Sequence, residues 1–292
     1  MCGINCIMRF FGRELINISN AEIIENFRSY LRFAGYSTNT IKAYSEIAYA
    51  YIVFCLNRGD FQDQCYINHY TDARKRELSN STLNIHISAL KMFYRSMAFN
   101  FETTINIDKE NIRTFSNVYS VPNVSSRDIA RFMQHINYYP DSSVDKAVIH
   151  LLYATGLRPS EIVYLGKSSF EMFEDRYVVN FYEQKKKRYR AVPFFEKESI
   201  YVVQNYLDSI SNFRIPFPQI RKIQYIFQYH SKAIDIKVNA RLMRHSFAYR
   251  CANVYKLSIS ELQAVMGHTN PAMSMRYALP HNDDVKLLGV RV

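Results

Sequence analysis

The 292-residue sequence predicts a mainly α-helical fold with one small β-sheet or hairpin, divided into two domains. Three observations lead there. Most of the chain repeats its apolar residues every three or four positions, the period of a helix with one buried face. A single stretch, from Arg176 to Phe194, changes to β-branched and aromatic residues around a basic tip, the pattern of a hairpin. Gly and Pro are scarce at eight each, which excludes a fold of many short hairpins or a Gly-rich nucleotide fold. The length suits one or two domains. With 48% apolar residues, 23 Tyr and 20 Phe, ordinary cores can form and intrinsic disorder is excluded.

Each element follows from local signals. From Asn20 to Ala34, the residues Ile23, Ile24, Phe27, Tyr30, Leu31 and Ala34 fall on one helical face, and Gly35 supplies the stop. Ser37 or Thr38 can cap a second helix that buries Ile41, Tyr44, Ala48, Tyr51, Ile52 and Cys55. A third follows Ser79-Asn80, with Leu83, Ile87, Leu90, Tyr94 and Met97 inward. These make an N-terminal helical domain over 18–102. Residues 103–123 are polar and aperiodic and read as a linker. A second domain, 124–292, opens where a serine can cap a helix running to His135. An apolar helix from Asp145 to Ala154 breaks at Gly156. The hairpin follows, and helices resume near Glu196.

The formal charge is +11, and it is uneven. Residues 1–110 hold 12 Lys and Arg against 11 Asp and Glu, whereas residues 111–292 hold 25 against 15. So basic a second domain suits a polyanion, nucleic acid above all, bound through phosphate contacts and counterion release. In the first domain Lys42, Arg74, Lys75, Arg76, Lys91 and Arg95 are candidate DNA contacts, the middle three in a loop. The five cysteines are scattered and odd in number, with no CxxC pair, and are expected to be reduced thiols. No apolar run reaches transmembrane length and no signal-peptide pattern opens the chain. The expectation is a cytoplasmic protein, nucleoid-associated or in a host cytoplasm, with no membrane partner.

Three segments carry the chemistry, and each alone has an ordinary reading. In Ala154-Thr155-Gly156-Leu157-Arg158-Pro159-Ser160-Glu161, Arg158 precedes a helix that Pro159 can start, so it can be a surface arginine beside a cap. In Arg241-Leu242-Met243-Arg244-His245-Ser246-Phe247, Arg241 and Arg244 lie three apart on a basic amphipathic helix. From Leu257 to Pro280, Ser258 and Glu261 have capping-box spacing and Gly267 ends a helix. His268 then lies in a tight turn, nine residues before Tyr277.

Together and in this order, the segments resemble the catalytic boxes of the tyrosine recombinase family, the phage integrases and Xer-type recombinases. The likeness spans about 150 residues of the C-terminal part. The N-terminal helices resemble that family's core-binding, SAM-like domain more loosely. The resemblance implies a C-terminal α+β catalytic domain with Arg158, Lys185, Arg244, His268 and Tyr277 as catalytic residues. Arg158 falls in Thr-Gly-Leu-Arg-x-x-Glu, Arg244 in Arg-His-Ser-Phe-Ala, His268 in the Gly-His turn, and Tyr277 at the nucleophile's spacing. The family's lysine lies on a hairpin eight residues before the proline of a Val-Pro pair. Counting back from Pro193 reaches Lys185, with Lys186 and Lys187 as close competitors. Lys186, Lys187 and Arg188 are also candidate DNA contacts. One position departs from the family: Arg241 stands where a histidine is usual, and can contact phosphate but cannot accept a proton.

The implied chemistry is coherent. Two guanidiniums and a histidine clamp the charge that gathers on an attacked phosphodiester. The tyrosine oxygen is the covalent nucleophile, and the lysine donates a proton to the leaving 5′ oxygen. The 3′-phosphotyrosine conserves the ester bond, so rejoining requires no ATP. No cofactor or metal is expected, since no carboxylate cluster of two-metal type is evident. The implied enzyme is a site-specific recombinase or integrase forming a C-shaped clamp on double-stranded DNA. It would act as a homotetramer on two synapsed sites and be able to exist as a monomer in free solution. Its apolar tail, Leu287 to Val292, can dock on a neighbour or fold back. The alternatives are a non-catalytic helix-turn-helix DNA-binding protein and a type IB topoisomerase-like nicking-closing relative.

Overall fold

Ser19 opens the first helix by accepting the Glu22 N–H at 3.2 Å, and α1 (Asn20–Phe33) ends before Gly35, whose φ of +77° reverses the chain. This is a computed structural model, and it describes residues 19–56, 66–100, 106–116, 125–138, 142–183, 186–211 and 215–278. The chain forms two units, Met1–Tyr119 and Ser120–Val292.

In the first unit α1, α2 (Thr38–Leu56) and α4 (Asn80–Asn100) pack on one another, and α3 (Ile67–Arg74) packs on α4. Phe27, Leu31, Tyr51, Ile52, Leu90 and Phe93 are its buried centre. The hydroxyls of Tyr51 and Tyr94 meet there at 2.7 Å, so neither phenol is buried without a partner. Helix α3 has no signature in the sequence pattern, because its eight residues are too few to display a period. Arg74, expected in a loop, is therefore its last residue, and Lys75 and Arg76 lie in the turn after it. Residues 106–116, within the stretch expected to be a linker, are fastened to this unit. Asn84 donates to the Phe115 carbonyl at 2.8 Å and accepts the Phe115 N–H at 3.0 Å. Asn68 makes the same kind of pair with the Asn111 carbonyl and the Arg113 N–H.

The second unit begins with α5 (Ser126–Tyr138), capped by Ser125, and α6 (Ser143–Thr155), capped by Ser142. Every residue of α6 from Ala147 to Leu152 is buried, because α8 (Lys197–Ser209) and α10 (Ala240–Asn253) pack on it. A short α7 (Pro159–Ile162) leads to an antiparallel sheet of β1 (Phe170–Phe173), β2 (Arg176–Glu183) and β3 (Arg188–Pro193), in that order. The hairpin was legible; β1 was not, since three of its four residues are exposed and show no alternation. After α9 (Ile220–Ala233) and α10 come α11 (Ile259–Met266) and α12 (Pro271–Ala278). Ser258 and Glu261 form the capping box of α11.

Two glycines decide the geometry that follows. Gly156 ends α6 at φ +60°, and a Cβ there would lie 2.2 Å from the Phe247 ring of α10. Gly267 ends α11 at φ +61°, where a Cβ would meet Glu183 Oε1 at 2.7 Å and the Arg190 guanidinium at 3.0 Å. The end of α6 can thus be approached closely by an aromatic ring and the end of α11 by charged side chains. Phe247, Ala248, Cys251, Leu262, Met266 and Tyr277 form a separate small core among α10, α11 and α12. Burial pushes the Cys251 thiol up to about 12, so it behaves as an inert packing residue.

Candidate active site

The end of α11 gathers cations. Carbonyls at a helix C-terminus have no partners within the helix and carry the negative end of its dipole. Here three in succession are used. The Val265 carbonyl accepts from Arg190 Nη1 at 2.6 Å, the Met266 carbonyl from Arg244 Nη2 at 2.5 Å, and the Gly267 carbonyl from Lys186 Nζ at 2.7 Å. Arg244 reaches in from α10, and its other terminal nitrogen donates to the Gly156 carbonyl at the end of α6, also at 2.5 Å. It is thereby strung between two helix ends. Burial, with the neighbouring charge of Arg158, lowers Arg244 to about 10, so it remains charged at neutral pH.

Arg158 precedes α7, where the Glu161 carboxylate accepts both its backbone N–H at 2.7 Å and its Nη1 at 2.8 Å. Glu161 also accepts from Arg190 Nη2 at 3.0 Å, so one carboxylate positions two arginines. Arg190 lies on β3 and is buried, its guanidinium over the Phe181 ring at 4.6 Å. Its Nε is 3.3 Å from Glu183 Oε1, an ion-pair distance without hydrogen-bond alignment. Glu183 is buried too. Burial favours its neutral form, but Arg188 at 2.9 Å, Arg190 and Lys186 outweigh that and hold it below the usual carboxylate range. Lys186 is lowered, first by burial and then by Arg188, Arg158 and Arg190, with Glu183 opposing.

His268 sits in the turn between α11 and α12, its Nδ1 at 2.8 Å from the buried Ser274 hydroxyl. Burial and the charges of Arg244, Arg158, Lys186 and Arg190 lower it to about 4. Its ring stacks on that of Tyr277, 12° from parallel with centroids 6.4 Å apart. Tyr277 is 7% exposed. Its hydroxyl meets His245 Nδ1 at 2.5 Å. Burial raises the phenol above its ordinary value, while Arg244, Arg276 and Arg241 pull the other way.

Arg158, Arg244, His268 and Tyr277, singled out from three separate segments, are therefore drawn into one electrostatic neighbourhood. Lys185 lies outside the described residues. Among the described residues, its competitor Lys186 brings an ammonium into the site, while Lys187 is exposed at the hairpin tip with φ +50°. Arg241 is exposed on α10, with Nε directed at His245 Nε2 at 3.4 Å. Arg188 is engaged with Glu183. In the first unit Lys42, Lys75 and Arg76 are exposed and Lys91 is half-buried. Arg74 pairs with Glu77 at 2.9 Å and Arg95 with Asp108 at 2.6 Å. The sequence reading missed Arg190, Glu183, Ser274 and His245. A buried charge inside a strand has no local signature, although His245 stood in plain sight beside Arg244. Among the described residues no group of three His, Cys, Asp or Glu side chains is arranged to hold a metal ion. None of their helices is long and apolar enough to cross a membrane.

Residues 122–283 match the Phage integrase family, and residues 23–100 match the Phage integrase, N-terminal SAM-like domain. The chain belongs to the phage integrase family. Among its relatives is tyrosine recombinase XerA of Thermococcus onnurineus (strain NA1), 25% identical over 264 residues, covering 88% of this chain and 90% of that one. Tyrosine recombinase XerC of Bacillus subtilis (strain 168) is 23% identical over 283 residues, covering 89% and 84%. The fold is that of XerH site-specific recombinase in its post-cleavage complex with a palindromic difH substrate. The TM-score is 0.70 at 14% identity, covering 93% of this chain and 84% of that one. Lambda integrase, as a dimer bound to a core site, gives a TM-score of 0.67 at 15% identity, with 90% and 96% covered.

Proposed function

We propose that this chain, a tyrosine-type site-specific DNA recombinase, cleaves and rejoins duplex DNA with Tyr277 as nucleophile. Arg158, Arg244 and His268 would be its phosphate clamp and Lys186 its proton donor. One observation carries the reading: Arg244, held charged between the ends of α6 and α11, shares its surroundings with Arg158 and Tyr277. Two fixed guanidiniums meet the two non-bridging oxygens and need no reorganisation as charge develops. His268, bonded through Nδ1 to Ser274, presents its other nitrogen to the same phosphate. Tyr277 Oη forms a bond to phosphorus as the P–O5′ bond breaks. Lys186, made more acidic by its desolvated and cationic surroundings, protonates O5′. Two duplexes have four strands to cut, one tyrosine each, which is the physical ground for a homotetramer on paired sites.

The test is covalent capture. The full chain is incubated with sheared duplex DNA from its source and EDTA, quenched in detergent, digested, and mapped by mass spectrometry. A detergent-resistant adduct with nucleotide on the Tyr277 peptide is expected. DNA binding with no adduct would favour the helix-turn-helix reading instead. The captured fragments provide the site for a second experiment. Lys186→Ala is expected to slow cleavage by about 100-fold, the lower range for general acid catalysis. A sulfur in place of the bridging 5′ oxygen should restore the rate, because a thiolate leaves without a proton. Loss and sulfur rescue in Lys185→Ala alone would transfer the role to Lys185.

A further inference from the structure

Arg241 stands where the resemblance leads one to expect a histidine, so the nucleophile lacks that neighbour. One turn along the same face of α10, His245 meets the Tyr277 hydroxyl directly. We infer that His245 donates its Nδ1–H to the Tyr277 oxygen and stabilises the phenolate, and that Arg241 fixes the tautomer which makes this possible. The inference rests on Tyr277 being the nucleophile.

The argument is a count of protons. Arg241 Nε carries a hydrogen and can only donate, and it lies 3.4 Å from His245 Nε2. Nε2 must therefore be bare. Burial and the charges of Arg241 and Arg244 lower His245 to about 4, so at neutral pH the ring is uncharged and has one N–H. With Nε2 bare, that hydrogen is on Nδ1, 2.5 Å from Tyr277 Oη. His245 in this state cannot take the phenol's proton, because an imidazolium would set its Nε2–H against the Arg241 Nε–H. It acts on the nucleophile as a donor, favouring the ionised oxygen.

Among the described residues, the charged groups facing Tyr277 are Arg241 and Arg244 from α10 and Arg276 from its own helix, α12. From the turn after α11 comes the neutral His268 ring. The three arginines act on the phenol through their charge, whereas His245 is hydrogen-bonded to the reacting oxygen. In the cleavage step the phenol proton is lost to water, the Tyr277 O–P bond forms, and the P–O5′ bond breaks. O5′ gains a proton from Lys186, and Lys186 regains one from water, so the proton released by the phenol is balanced.

Two measurements on the full chain without DNA test this directly. Nitrogen-15 NMR of labelled histidines should show His245 as the Nδ1–H tautomer, moving toward the Nε2–H form in Arg241→Ala. With 3-fluorotyrosine at position 277, fluorine NMR should show the phenol pKa rising by about one unit in His245→Ala, a roughly tenfold loss of phenolate at neutral pH. His245→Asn, whose amide N–H occupies the place of Nδ1–H, should restore most of that loss and guards against a folding artefact. In covalent capture, His245→Ala should be about tenfold slow at neutral pH, with the gap closing as pH rises and phenolate forms unaided. An Nε2–H tautomer in the wild type, an unmoved fluorophenol, or a gap constant at every pH overturns the inference. The expected NMR results with no adduct in the wild type would leave the hydrogen bond standing and defeat the recombinase reading instead.

Discussion

Tyr277→Phe is expected to lose the covalent adduct completely while binding duplex DNA within about twofold of wild type, since phosphate contacts from Arg and Lys dominate such affinity. The substitution removes one oxygen and leaves the ring, which is packed with Phe247, Leu262 and Met266, in place. Its structural cost is the partner of His245 Nδ1, on the order of 1 kcal/mol for a half-buried hydrogen bond. A thermal melt near that of wild type, together with a filter-binding curve, would establish that the variant is folded and binds. No other tyrosine among the described residues meets His245 and stacks on His268, so no substitute nucleophile stands in the same place. An adduct surviving in this variant would remove Tyr277 from the mechanism.

Arg244→Ala is expected to slow cleavage by about 100- to 1000-fold, the loss of about 3 kcal/mol or more of transition-state stabilisation from one preorganised donor. Because Arg244 stays charged until about pH 10, the deficit should be nearly constant from pH 6 to 9. That flat profile separates it from the His245 variant, whose deficit narrows with pH. The same truncation strands the Gly156 and Met266 carbonyls, so some loss of stability accompanies the loss of rate. Single-turnover cleavage at saturating DNA, well below the melting temperature, isolates the chemical part. Arg244→Lys keeps the charge but cannot span both carbonyls, and is expected to remain at least tenfold slow, since a lysine lacks the planar fork. Wild-type rates in Arg244→Ala would refute its assignment to the clamp.

What could be read in advance was whatever the chain writes locally. Ser258 with Glu261, Gly156, Gly267 and the apolar period of α10 announced helix ends and faces. The spacing of Arg158, Arg244, His268 and Tyr277 announced a chemistry. The supports of those residues were hidden because they act over distance. Glu161 and Arg190 are 29 residues apart, and Arg190 and Val265 are 75 apart. In sequence, Tyr189-Arg190-Ala191 looks like the basic edge of a hairpin, and nothing local says that Arg190 turns inward. The lysine was ambiguous for a related reason. Counting along a hairpin fixes a register only if the turn has a known length, and at this tip Lys187 adopts a left-handed conformation. His245 was passed over because its value lies in a contact 32 positions away.

The end of α11 holds Arg190, Arg244 and Lys186 on three consecutive carbonyls, and His268 follows immediately. These groups come from a strand, a helix and a hairpin tip, yet they share one mooring. Arg244 is also held at the end of α6 and Arg190 by Glu161, but the α11 end is the one anchor all three have in common. On the proposed reading, such a site would be lost as a unit more readily than part by part. For a reaction that must cut some strands and spare others, that is a useful property. On that reading, a displacement of that one helix terminus would loosen three cations of the clamp together.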